Sequence, residues 1–195
     1  MPIERRFLKG LRLEQRDGVK MPTLRGHAAV FDSEGDGGWF TEVVRPGAFT
    51  RTLREGPDTA ALVNHDSNLI LGRKSASTLR MSEDTRGLAV EIDLPETTAG
   101  RDVAASVERG DLTGMSFSFT TMADQWSTKD GKDFRELLDV DLFDVAVVAF
   151  PFYSETDIGI RSAGDDAEAR RSRDSVLAAA MGMKAKAQKI LAECQ

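Results

Sequence analysis

The chain has 195 residues, 41% of them hydrophobic, which places it in the ordinary globular class with room for one domain plus a tail. Its formal net charge of -6 argues against nucleic-acid binding by the whole surface, because phosphate recognition needs a basic face. One cysteine (Cys194) and two histidines leave no internal disulfide and no Cys/His zinc site, and no apolar run reaches the ~20 residues of a membrane span. The first residues lack the apolar stretch of a signal peptide.

Alternation over residues 5–14 and 23–31 predicts two strands joined by the turn-prone Arg16-Asp17-Gly18. Residues 32–38 read as a loop, and Pro46-Gly47 opens a short helix over 48–55 that Gly56-Pro57 ends. Short strands are predicted at 60–64, 69–71, 77–81 and 88–94, the last two joined by a hairpin turn at 84–87. Thr97-Thr98 can cap a helix over 99–109, with Val103 and Val107 on its buried side and Gly110 at its end. Residues 113–121 alternate strictly, so Met115, Phe117 and Phe119 share one face while Ser116, Ser118 and Thr120 share the other. A polar loop at 124–132 then leads to a long β stretch over 134–150, whose second half is apolar on both faces. Beyond Ile160 the composition turns small and polar, then rich in Ala, Lys and Arg. These elements predict a mainly β domain with flanking helices over residues 1–161, followed by a linker and a nearly neutral helical tail over 162–195.

Chemistry can be sought in a few places. His65 follows an apolar strand, where an imidazole is held firmly and still reaches solvent, as a general base requires. Alone it reads more readily as a surface turn residue between Asn64 and Asp66. Ser116 lies on the polar face of its strand, and a neighbouring strand that carried a histidine would make it a nucleophile. Alone it reads as one water-facing serine of an amphipathic strand, and Ser118 shares its face. A carboxylate to orient the histidine could come from Asp139, Asp141 or Asp144. Asp144 opens the most apolar part of the stretch and is the expected choice, although a bulge between Leu142 and Asp144 would change which face it occupies. Backbone N–H groups near Gly72 and Arg73 are candidates for an oxyanion site, and Ser118 for a substrate contact. His27 reads as a strand residue near a sheet edge. There is no P-loop, no G-x-G-x-x-G and no metal-spaced carboxylate cluster, so neither a metal nor another cofactor is expected.

The order and wording of several segments add what no single one carries. Gly26-His27-Ala28-Ala29-Val30-Phe31-Asp32, Glu42-Val43-Val44-Arg45-Pro46-Gly47-Ala48-Phe49, Asn64-His65-Asp66 and Leu71-Gly72-Arg73 occur in that order. Arg109-Gly110-Asp111-Leu112-Thr113-Gly114-Met115-Ser116-Phe117-Ser118-Phe119 and Leu142-Phe143-Asp144-Val145-Ala146-Val147-Val148-Ala149-Phe150-Pro151 follow. Over about residues 3–160 the chain resembles the tailed-phage prohead (procapsid maturation) protease family. The resemblance implies a closed β-barrel of the herpesvirus assemblin type with flanking helices. It implies a serine endopeptidase that removes scaffold or propeptide segments from capsid proteins, and then cleaves itself, inside a procapsid assembling in the bacterial cytoplasm. Its histidine falls on His65 and its serine on Ser116. The assemblin triad ends in a second histidine, which only His27 could supply; the phage branch implies an acidic residue, and Asp144 is the choice. Ser118 stands where glycine is commoner, and Ala146 where a serine often follows the valine. The implied partners are the major capsid protein, scaffold segments and a second copy of the chain or the procapsid shell, with no membrane and no nucleic acid. The competing expectation is a capsid-assembly or scaffold protein that keeps the barrel without the chemistry.

Overall fold

The computed structural model describes residues 4–15, 20–36 and 39–149. The expected boundary at residue 161 and the helical tail lie outside these residues. In chain order the elements are β1 (Glu4–Lys9), β2 (Arg12–Glu14), β3 (Thr23–Val30), β4 (Gly35–Asp36), β5 (Phe40–Val44) and α1 (Thr50–Glu55). After them come β6 (Ala60–Val63), β7 (Asp66–Arg73), β8 (Leu79–Glu83), β9 (Gly87–Asp93), α2 (Thr98–Arg109), β10 (Gly114–Lys129) and β11 (Lys132–Val148). The strands form two sheets. The larger runs β1-β10-β11-β5-β4, with β6 beside the later half of β11 and β7 beyond β6; the smaller runs β2-β3-β9-β8.

A closed barrel is not what forms. The larger sheet curls into a half-barrel, and among the described residues no continuous ladder joins it to the smaller sheet. Two corners explain why. At the first, Gly10 adopts φ +125°, a conformation open to glycine, and its N–H still reaches Thr113 O at 2.9 Å. The chain beyond it turns away from β10, so that β2 pairs with β3 instead. At the second, the sheets touch through one parallel bridge, Phe31 to Val44, which does not propagate. The core lies between the inner faces. Met115, Phe117, Phe119, Leu137, Val140, Leu142, Val145 and Val147 from the larger sheet share a cluster with Leu24, Leu79, Leu88, Val90 and Ile92 from the smaller one. Each such side chain, fully buried, contributes about 1.5–3 kcal/mol.

Helix α2 starts where its sequence signals place it. Thr97 accepts from Gly100 N at 3.2 Å, and Gly110 closes the helix at φ +82°. Residues 124–132, expected to be a polar loop, are instead paired strand to the tip of a long hairpin. Asp130 and Gly131, at φ +53° and +77°, form its two-residue turn. Asp-Gly is the pair that such a turn favours, because both central residues need positive φ. Polar alternation beyond Thr121 hid the signal, since this part of the ribbon has an exposed face.

Three irregularities interrupt the β10–β11 ladder, skipping Met122, Leu138 and Phe143. All three are large apolar residues, and all three are exposed, Phe143 at 38%. A bulge adds one residue without a partner and reverses the alternation beyond it. Before Phe143, Val140 and Leu142 face the core; after it, Val145 and Val147 do. Were Phe143 paired in regular alternation, the parity set by Val140 and Leu142 would drive Asp144 into the apolar core. The bulge puts it on the opposite face, beside Ser118 and Ala60.

Candidate active site

Ser116, Ser118 and Asp144 share the outer face of the larger sheet with Ala146, Ala60 and Leu62. The two serines are 0% exposed, so the expectation of serines facing water fails. Ala60, Leu62, Ala146 and Val148 form a second small apolar cluster, which makes the ground beside the hydroxyls apolar.

His65 reaches this face from the β6–β7 turn. Val63 pairs with Asp66, leaving Asn64 and His65 as a two-residue turn at φ +48° and +60°. Asn and His are among the non-glycine residues that tolerate this region. Asn64 anchors the turn at the end of β11, with its N–H donating to Val147 O at 2.9 Å and its Oδ1 accepting from Ala149 N at 3.4 Å. The turn thereby holds the imidazole over β10 and β11 with its side chain only 5% exposed.

Nε2 of His65 lies 2.6 Å from Ser116 Oγ, and Nδ1 lies 2.6 Å from Asp144 Oδ1. These are the two contacts required of a base that takes a hydroxyl proton while a carboxylate fixes its tautomer. Ser118 Oγ lies 3.0 Å from Nδ1 and accepts a hydrogen bond from Arg5 Nε at 3.3 Å.

The other candidates lie elsewhere. Asp139 and Asp141 bind Arg51, at 2.8 and 2.7 Å, which anchors α1 to β11. His27 Nε2 meets Asp84 Oδ2 at 2.8 Å in the smaller sheet's hairpin. That bond, with the Gly87 and Arg86 amides, lowers the Asp84 pKa to about 2. Gly72 stands opposite Ala61 in the β6–β7 ladder, where a Cβ would lie 2.9 Å from Thr78 O. Arg73 bonds to Asp58 through its side chain at 3.0 Å and to Thr78 Oγ1 through its amide at 2.9 Å. Sequence reasoning passed over Arg5 and the anchoring role of Asn64. Arg5 meets Ser118 through the β1–β10 register, which no local pattern encodes. Asn64 did leave a signal, an Asn in a two-residue gap between apolar runs.

A mainly β scaffold that lines up a buried hydroxyl, an imidazole and a carboxylate has the arrangement of a serine hydrolase. The chain belongs to the caudovirus prohead serine protease family, whose sequence profile matches residues 9–170. Among solved structures, the capsid assembly protease of bacteriophage T4 is similar at 13% sequence identity and a TM-score of 0.45. The alignment covers 76% of this chain and 99% of that one. No curated protein matches the chain. Among the described residues, no helix is long and apolar enough to cross a membrane, and no group of three or more His, Cys, Asp or Glu could hold a metal ion.

Proposed function

We propose that the chain is the serine endopeptidase of procapsid maturation, with Ser116 as nucleophile, His65 as general base and Asp144 as the residue that orients it. The observation that carries this reading is the pair of 2.6 Å contacts on opposite sides of one imidazole. Nε2 takes the Ser116 proton as Oγ attacks the scissile carbonyl, and the same proton passes to the leaving amine as the C–N bond breaks. Water, deprotonated by the same nitrogen, then attacks the acyl-enzyme carbonyl, and the proton returns from Nε2 to Ser116 Oγ as the ester C–O bond breaks. The Asp144 carboxylate faces the imidazolium formed in between and stabilises it without becoming protonated.

The substrates proposed are scaffold or propeptide segments of capsid proteins, and the chain itself, cut inside the assembling procapsid. Family membership supports the capsid setting. The test is co-expression with the cognate capsid protein, comparing the unmutated chain with Ser116→Ala and His65→Ala by intact mass of every product. Trimming by the unmutated chain alone is the expected result, and the masses identify the cut. Equal trimming by all three would end this reading, and a correctly folded set that trims nothing would favour a scaffold role.

A further inference from the structure

Two residues beyond Ser116, Ser118 is equally buried and lies on the same face. Residues so spaced on a strand are about 7 Å apart. The His65 ring spans that gap and meets a hydroxyl at each nitrogen, Ser116 at Nε2 and Ser118 at Nδ1. Nδ1 carries one proton toward Asp144 in the tautomer that leaves Nε2 free to act as base. The shorter bond to the charged oxygen takes the larger share of that proton. Ser118 at 3.0 Å takes the smaller share. Arg5, opposite Ser118 in the β1–β10 ladder, settles how this hydroxyl is used. A guanidinium only donates, so Ser118 Oγ must accept from Arg5 Nε, which leaves its other lone pair for the Nδ1 proton.

We propose that Ser118, held by Arg5, is a positioning residue for His65. It is a second acceptor for the Nδ1 proton and restrains both the ring and its tautomer. This inference rests on the catalytic reading of Ser116 and His65. Asp144 dominates while it is present, so Ser118 matters most when Asp144 is removed. That non-additivity is the signature of two groups acting on one atom.

The probe is diisopropyl fluorophosphate, which needs no knowledge of the peptide substrate. Ser116 Oγ bonds to phosphorus, the P–F bond breaks, fluoride leaves, and the serine proton passes to Nε2. The rate is followed by intact mass on the full chain. Ser118→Ala should slow labelling about 3- to 10-fold, the value of one hydrogen bond, and by more than that in an Asp144→Ala background. Ring 15N spectra of His65 in Ser118→Ala should show a smaller population protonated at Nδ1, which a purely structural role would not produce. Arg5→Met, a change at an exposed residue, should slow labelling in the same direction and covers the case in which Ser118→Ala fails to fold. Unchanged labelling in both backgrounds, or faster labelling when Asp144 is absent, would overturn the role of Ser118 alone. A chain not labelled at Ser116, or a Ser116→Ala chain labelled as fast, would overturn the catalytic reading and this inference with it.

Discussion

At the scale of single residues, the site depends on one imidazole held in one orientation. Asp144→Asn keeps the shape but can donate to Nδ1, which favours the wrong tautomer; under the proposed mechanism, cleavage of the cognate capsid protein should fall by about 10⁴-fold, read as single-turnover rates. The orientation also depends on Asn64, which places the ring from a left-handed turn. Asn64→Val forces a β-branched residue into that conformation and removes the bond to Ala149 N. It should cost about 1–2 kcal/mol in denaturant unfolding and slow cleavage as well. His65 and Ser116, which the structure brings to 2.6 Å, were singled out in the sequence because the segments around them are distinctive. Asp144 was singled out among the three carboxylates by the apolar run it opens, and in the structure it is the one beside His65 while Arg51 binds the other two.

At the scale of elements, the β10–β11 ribbon decides which side chains meet. The bulge at Phe143 lets one strand present Leu142 and Val145 to the core while Asp144 faces the histidine. Phe143 should therefore be dispensable for packing despite its size. Phe143→Ser is expected to change stability by no more than about 0.5 kcal/mol, whereas Val145→Ala, which opens a cavity, should cost about 1–3 kcal/mol by the same unfolding assay. Alternation in the sequence shows that a strand exists. It does not show where the strand skips a residue, since a bulge arises from pairing with a partner strand.

At the scale of the whole molecule, ion pairs hold distant segments together. Arg135, 7% exposed, binds Glu4, Glu42 and Asp124, while Arg6 closes the network onto Glu4 and the buried Glu42. Without Arg135 the buried Glu42 and the half-buried Glu4 keep Arg6 but lose their second charged donor, and Arg135→Ala should cost about 1.5–3 kcal/mol. Burial raises the Glu4 pKa, but hydrogen bonds from Arg135 and Thr121 outweigh it and leave the pKa below the ordinary glutamate value. A depressed carboxylate pKa contributes stability that is present above the unfolded value and lost as pH falls through the folded one. For Asp84 that window runs from about 4, the ordinary carboxylate value, down to about 2. The stability difference between the unmutated chain and Asp84→Asn should be full at neutral pH, shrink through that window and vanish below it, as urea midpoints would show.

By itself the sequence determined the β class, both helices with the caps of α2 and the Gly56 end of α1, the family, and the His65–Ser116 pair that the proposed mechanism uses. Each of these rests on local propensity or on short ordered segments that the chain carries along its length. The tertiary structure alone decided that the sheets stay open at Gly10 and at the Phe31–Val44 corner, that Asp144 rather than His27 meets His65, and that Arg5 reaches Ser118. Those outcomes depend on register between segments as much as 113 residues apart, and register is a property of paired strands rather than of either strand alone.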